Sequence, residues 1–252
     1  MSIHVHKTGL VKTLGQQSDA IVTANLTGNW IPGTGVNTHF WDNQVGSGLN
    51  LRRVNTVATG SSPNHWIFSG TNDYFGAAST GYGGDPFSVD TSSAYTLSQW
   101  FKNDSGVVHV AFALVYSSSN VAKLFISQSG GTANKAKLSV GSETPVEFDY
   151  TFADDTWYYI SLVYAGSNVW RFFVNGSFVG SSTIDNSGGS EGTELHIGRD
   201  AMDSPVVYSG STIKLGHVHV HNAALKNSQL RQNFLASHVV NNTRVYGATY
   251  TA

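Results

Sequence analysis

The sequence predicts an all-β protein: two antiparallel sheets packed as a sandwich, with one short helix close to the C-terminal end. Three observations carry that expectation. The first is the stretch from Trp157 to Gly180, where β-branched and aromatic runs at 157–164 and 169–174 flank a short turn, Ala165–Asn168, and lead into Asn175-Gly176. Such runs suit a pleated, half-buried surface, and Asn-Gly suits a type I′ hairpin because both central residues need φ > 0. The second is composition. Only 12% of the 252 residues are charged and 40% are hydrophobic, so the polar surface must come mainly from Ser, Thr, Asn and Gly. The third is the recurrence of turn signals at the spacing of a β-sandwich.

Taken in order, residues 1–18 form a polar arm with a short alternating stretch, Ile3-His-Val-His6. Residues 20–75 carry short strands between Gly-rich turns at Pro32–Gly35 and Val45–Gly48. Residues 76–93 read as a loop rich in Gly, Ser and Thr, centred on Gly81–Pro86. Strand patterns resume at Tyr95–Phe101, Val107–Tyr116, Ala122–Ser127 and Ala136–Val140, and after the meander at Glu194–Gly198 and Ile213–Val220. The helix is expected over Ala223–Ser237, where Leu225, Leu230, Phe234 and Leu235 fall roughly on one face. The five prolines are scattered and no internal repeat is visible, so the division is an arm at 1–18, one domain at 19–237 and an extension at 238–252.

Six Trp, eleven Tyr and thirteen Phe are ample for a large core. A net charge of −2 without a basic run lacks the electrostatic footprint of a nucleic-acid binder. The absence of cysteine excludes disulfides, thiol nucleophiles and cysteine-ligated zinc. No apolar run is long enough to span a bilayer as a helix, and the first residues lack the apolar core of a signal peptide. The expectation is synthesis in the cytoplasm and no membrane partner.

Five segments in sequence resemble the laminin G-like (concanavalin A-like) jelly-roll domains. Trp66–Phe75 is similar to the family's early strand ending in Gly-Thr-Asp-Asp-Tyr, and Tyr95–Lys102 to its Phe-Thr-Ile-Ser-x-Trp strand. Trp157–Val179 resembles the tryptophan strand and Val-Asn-Gly hairpin, Leu195–Gly198 the short strand after it, and Val218–Leu225 with Gln229–Phe234 the last strand and helix. The resemblance covers about residues 20–235 and implies a two-sheet antiparallel jelly roll. Ile31-Pro-Gly-Thr-Gly with Phe40-Trp-Asp-Asn43, and Gln232-Asn-Phe with Arg244-Val-Tyr-Gly247, further resemble the opening and closing segments of bacteriophage structural proteins that carry this domain.

Several residues are candidates for chemistry, each with a plainer reading beside it. His217, His219 and His221 share one face of a strand, about 7 Å apart, as His4 and His6 do on the arm. They could supply zinc ligands or a pH-sensitive assembly contact, or simply form a polar outer face over a valine core face. Asp73 stands where the resembled family carries acidic residues near a calcium site, and Asp200 and Asp203 could add oxygens. Asn and Asp also cap turns. Trp30, Trp41, Trp66 and Tyr82 lie in or near turns and could stack on sugar rings, although packing is the ordinary use of such tryptophans. Glu147 and Asp149 put two carboxylates on one strand face, as in glucanases of this fold, but the closing Glu of their Glu-x-Asp-x-(x)-Glu strand is missing: Tyr150-Thr-Phe-Ala153 follows.

With that closing Glu missing, the expectation is no enzyme and, calcium aside, no cofactor. The leading expectation is a phage virion component, a capsid decoration or other accessory surface protein, bound to capsid or tail proteins and able to self-associate. Val5, Leu10 and Leu14 in the first arm, and Val239, Val245 and Tyr246 in the second, supply apolar anchors for docking. The alternative is a carbohydrate-binding adhesion module that recognises a surface glycan. Fold by itself does not choose between them.

Overall fold

The computed structural model describes residues 20–36, 40–45, 50–54, 57–61, 64–68, 73–78, 93–103, 109–117, 120–127, 135–186, 194–198, 213–240 and 243–244. In chain order the strands are β1 (Leu26–Trp30), β2 (Phe40–Trp41), β3 (Leu51–Val54), β4 (Ala58–Gly60), β5 (His65–Phe68), β6 (Tyr74–Ala78) and β7 (Tyr95–Asn103). They continue with β8 (His109–Ser117), β9 (Asn120–Ser127), β10 (Lys135–Val140), β11 (Val146–Thr151), β12 (Thr156–Tyr164), β13 (Val169–Val174) and β14 (Ser177–Thr183). β15 (Glu194–Ile197), β16 (Ile213–His221), the helix α1 (Asn227–His238), β17 (Val239–Val240) and β18 (Thr243–Arg244) complete the order.

Two eight-stranded sheets result. The first runs β14-β13-β12-β7-β16-β5-β4, with β1 also paired to β16; the second runs β11-β10-β9-β8-β15-β6-β3-β2. The central pairings are antiparallel, including β7 with both β12 and β16. A register break between Leu215 and Val218 lets one edge of β16 hold β5 at residues 213–215 and β1 at residues 218–221. The all-β antiparallel jelly-roll expectation holds.

Strand alternation places the core. Tyr158, Ile160, Leu162 and Tyr164 of β12 join Leu97 and Phe101 of β7 and Leu215, Val218 and Val220 of β16 on the inner face of the first sheet. Against them lie Leu138 and Val140 of β10, Phe148 of β11, Phe75 of β6, and Leu195 and Ile197 of β15. Phe148 and Phe172 stack at 4.9 Å and join the two sheets between β11 and β13. Each such side chain contributes about 1.5–3 kcal/mol when fully buried. Gln99 of β7 is an exception: it is buried, and neither amide atom of its side chain has a hydrogen-bond partner among the described residues.

The meander forms as expected. β12 and β13 pair from Ile160 with Val174 to Tyr164 with Trp170, and β14 follows β13. Asn175 and Gly176 have φ of 50° and 76°, the positive pair that a type I′ turn needs. Asn175 locks the turn through its side-chain Oδ1, which accepts from the Tyr159 N–H at 2.9 Å.

Three boundaries moved. β6 continues to Ala78, into the stretch read as loop, and β14 continues to Thr183. The helix starts at Asn227, not Ala223, because the Thr96 hydroxyl takes both ends of the preceding turn. It donates to the Ala223 carbonyl at 2.7 Å and accepts from the Leu225 N–H at 3.0 Å. Lys226 then caps the helix, its N–H donating to Gln229 Oε1. The arm at 1–18 lies outside the described residues; within the extension, β17 and β18 pair as a two-stranded ladder.

Gly176 has a second constraint, because a Cβ there would stand 2.8 Å from Arg231 Cα on α1. Gly166 has φ of 85° with nothing within 4 Å of the same added atom. Gly166→Ala should cost only backbone strain, about 1–2 kcal/mol. Gly176→Ala should add overpacking of about 1–3 kcal/mol. Urea unfolding of both variants measures the difference, and equal losses would show that the hairpin does not press on the helix.

Candidate functional site

The inward residues of β12 leave Trp157, Tyr159, Ser161 and Val163 on the opposite face, where a two-layer sandwich would expose them to water. All four are buried. A third layer covers them, made of α1 and the segment 20–25 that precedes β1. One apolar cluster joins Trp100, Trp157, Tyr159 and Phe234. A second joins Val22, Val163, Phe173, Leu225 and Leu230. Trp100 and Phe234 rings lie 5.6 Å apart, within the range of favourable aromatic pairs.

Between the clusters runs a buried polar seam. Ser98 Oγ donates to Ser161 Oγ at 2.8 Å, across β7 and β12. The Tyr159 hydroxyl and His219 Nδ1 share a hydrogen bond of 2.9 Å. His221 Nε2 bonds the Val22 carbonyl at 2.9 Å, and the Val22 N–H donates to Asn233 Oδ1 at 2.7 Å. Trp100 Nε1 donates to Ser237 Oγ at 2.8 Å, and that hydroxyl donates to the Asn233 carbonyl at 2.7 Å. The run from His221 through Val22, Asn233 and Ser237 to Trp100 thus ties sheet, helix and the 20–25 segment together.

Burial keeps this seam uncharged. It pushes the His217 imidazole down to about 4 and His219 well below the usual histidine range, with the neighbouring His217 and His221 adding to the shift. Burial also lowers His221, and its bond to the Val22 carbonyl opposes that shift. Burial raises the Tyr159 hydroxyl far above its ordinary value.

The seam also fixes where the chain enters and leaves the folded body. Gln232 Nε2 donates to the Ala20 carbonyl at 2.8 Å. His238, the last helical residue, lies six residues beyond Gln232, about 9 Å along the axis. Ala20 and the end of α1 at His238 therefore lie on the same face of the sandwich.

Other candidates fall elsewhere. Trp30 and Trp41 are fully buried, so the expectation that they stack on sugar is corrected. With Trp66 they fill the core where β1, β2 and β5 meet: Trp41 lies 5.1 Å from Trp66 and from Phe75, and its Nε1 donates to the Ile31 carbonyl. The three histidines do not form a polar outer face or an open assembly contact, because all three are buried, His221 against the Val22 carbonyl and His219 against the Tyr159 hydroxyl. The rings run in line along β16, with His217 and His219 centroids 6.2 Å apart. Among the described residues no three His, Cys, Asp or Glu side chains converge as a metal set. Asp73 is buried just before β6. Its expected calcium partners Asp200 and Asp203, and Tyr82, Val5, Leu10, Leu14, Val245 and Tyr246, lie outside the described residues.

Glu147 and Asp149 do share the outward face of β11, each paired to a lysine of β10. Lys137 Nζ stands 3.7 Å from Glu147, and Lys135 Nζ 2.6 Å from Asp149. The Lys135 ammonium holds the Asp149 carboxyl below its ordinary range. Exposed pairs of this kind dress a sheet surface.

The covering layer was legible in one signal that went unread. β12 reads Thr-Trp-Tyr-Tyr-Ile-Ser-Leu-Val-Tyr without polar alternation, and a strand of that kind is buried on both faces.

Asn233→Ala removes the acceptor of the buried Val22 N–H and should cost about 1–3 kcal/mol, the desolvation penalty of an unmatched group. In a chain of this size that is a fall in Tm of roughly 2–10 °C. An unchanged Tm would show that the seam does not hold residues 20–25.

Comparison with known proteins agrees with this architecture. The sequence profile described as "Concanavalin A-like lectin/glucanases superfamily" matches residues 69–231, which is 163 of the 252 residues. No curated protein sequence matches the chain. Among solved structures, a Trypanosoma rangeli sialidase in complex with 2,3-difluoro-KDN superposes with a TM-score of 0.64 at 16% identity, covering 86% of this chain and 33% of the sialidase. The receptor binding domain of botulinum neurotoxin C/D mosaic serotype superposes with a TM-score of 0.62 at 12% identity, covering 83% and 51%. The chain spans a third of the one and about half of the other, and identities this low concern the fold alone. By its matched profile and its two-sheet body, the chain belongs to the concanavalin A-like lectin/glucanases superfamily.

Proposed function

We propose that the chain is a non-catalytic structural protein of a bacteriophage particle, an accessory or decoration module whose sandwich is the exposed body. The observation that carries this reading is the common attachment of both flanking segments. Ala20 and α1 are bonded to each other, so the two points where the flanking segments join the body share one face, and a surface bound through those segments would meet the molecule on that side. Docked so, the second sheet points away from the particle. The resemblance of residues 31–43 and 232–247 to segments of phage structural proteins supports the setting.

Deleting residues 1–18 tests the reading. The truncated protein is expected to melt within a few degrees of the intact one and to lose incorporation into particles. Normal incorporation would contradict docking through the arm.

The lysine-held carboxylates support the absence of glycosidase chemistry, which needs an unpaired acid and a nucleophile or base flanking a bound sugar. No reducing sugar should be released from β-glucans. Release that Glu147→Gln abolishes would overturn this.

Glycan capture is the second reading, supported by the superfamily's lectins and by Phe178 of β14. That ring is 52% exposed and packs edge-on against Phe173 at 5.4 Å. Binding on a glycan array that Phe178→Ala abolishes would favour a lectin over a purely structural module.

A further inference from the structure

The first sheet ends at β14, and its last two strands carry an aromatic ring and a guanidinium on one face. Trp170, Phe172 and Val174 of β13 point into the core, so Arg171 and Phe173 point to the face that bears α1. Across the strand pair, Arg171 stands opposite Ser181 and Phe173 opposite Phe178. Directly opposite residues share a face, and the diagonal pair Arg171 and Phe178 stand about 7–8 Å apart, within reach of long side chains. No residue of β14 is buried, and Phe178 is 52% exposed. Its ring meets Phe173 at 66°, so the two do not stack and a face of Phe178 is left to solvent.

Charge on these elements has one sign. β13, β14 and α1 hold the cations Arg171 and Arg231 and no Asp or Glu, in a chain whose net charge is −2. Arg231 lies beside the hairpin, its Cα 2.8 Å from the place of a Gly176 Cβ. Asp185, two residues past β14, is bonded to Asn168. Arg171 Nε is buried with no hydrogen-bond partner among the described residues, while the residue as a whole is part-exposed. That is the posture of an arginine whose stem lies on apolar surface and whose head stays at the water.

We propose that the outer face of β13 and β14 binds a carboxylated sugar, with Phe178 under the sugar ring and the Arg171 guanidinium on its carboxylate. The inference rests on the glycan-capture reading and gives it a ligand class. The face of an aromatic ring is electron-rich, and the C–H bonds of a pyranose pack on it. A carboxylate then adds a planar pair of acceptors, which a guanidinium matches with two parallel N–H bonds. Ser181 and Thr183, both exposed on the same side of β14, supply hydroxyls for those of the sugar. A nucleic acid does not fit, because two guanidiniums without a basic run lack the footprint that a phosphate backbone needs.

Calorimetric titration of the full chain with paired sugars tests this: a galacturonic acid trimer against its methyl ester, and sialyllactose against lactose. At least one acid form should bind about tenfold tighter than its neutral partner, the size of one charge-assisted contact. Arg171→Gln should bring the acid form down to the level of the neutral one, and Arg171→Lys should keep part of the difference. Phe178→Ala should abolish binding of both forms. If Arg171→Gln does not fold, the paired sugars and Phe178→Ala decide. Acid and neutral forms bound equally would overturn the acid preference and leave glycan capture standing. Acid binding that survives Phe178→Ala overturns the site, and a hexaglutamate peptide bound as tightly as the acid sugars overturns the sugar in favour of an acidic peptide. No binding of any of these sugars overturns the proposal, and the glycan array then decides the wider reading by itself.

Discussion

A strand with two apolar faces cannot end a two-layer structure, and β12 is such a strand. Its inner face fills the sandwich with Tyr158, Ile160 and Leu162, while its outer face carries Trp157, Tyr159 and Val163. Leaving three such side chains in water would forfeit about 1.5–3 kcal/mol each. The third layer follows from that constraint. Leu230 and Phe234 of α1, with Val22 and Leu225 beside the strands, give the outer face its partners, and the helix needs the sheet as much as the sheet needs the helix. A twelve-residue helix is marginal by itself in water.

Polar groups inside that layer are tolerated because they pair with one another. Serine hydroxyls, imidazoles, an asparagine and a tyrosine form short bonds across β7, β12, β16, α1 and residues 20–25. The pairing gives the layer direction, since apolar contact alone would let the helix slide. Burial lowers His217, His219 and His221 below the usual histidine range, so the bonds in the layer are made by neutral rings.

Most of the fold was legible because its signals are local. Asn175-Gly176 is read correctly since a positive φ pair admits few residues, and β7, β10, β12 and β13 since aromatic and β-branched runs have few other uses. The site was less legible, because burial is not local. Trp30 and Trp41 sit beside Gly-rich turns, which made them look exposed, and only the meeting of β1, β2 and β5 puts them inside. His217, His219 and His221 alternate with valines as an outer face should, and nothing within β16 tells that this face is buried, with Val22 from 199 residues earlier bonded to His221. The helix start was misplaced for a related reason: Thr96, 127 residues away from Ala223, occupies the turn.

The third layer rests on contacts that NMR can see directly. With methyl-labelled Leu and Val at pH 7.5, a NOESY spectrum should link Val22, Val163, Leu225 and Leu230 into one network. Leu230 and Phe234 that show only contacts within their own helix, with shifts near those of a free peptide, would contradict the covering of the first sheet and everything built on it.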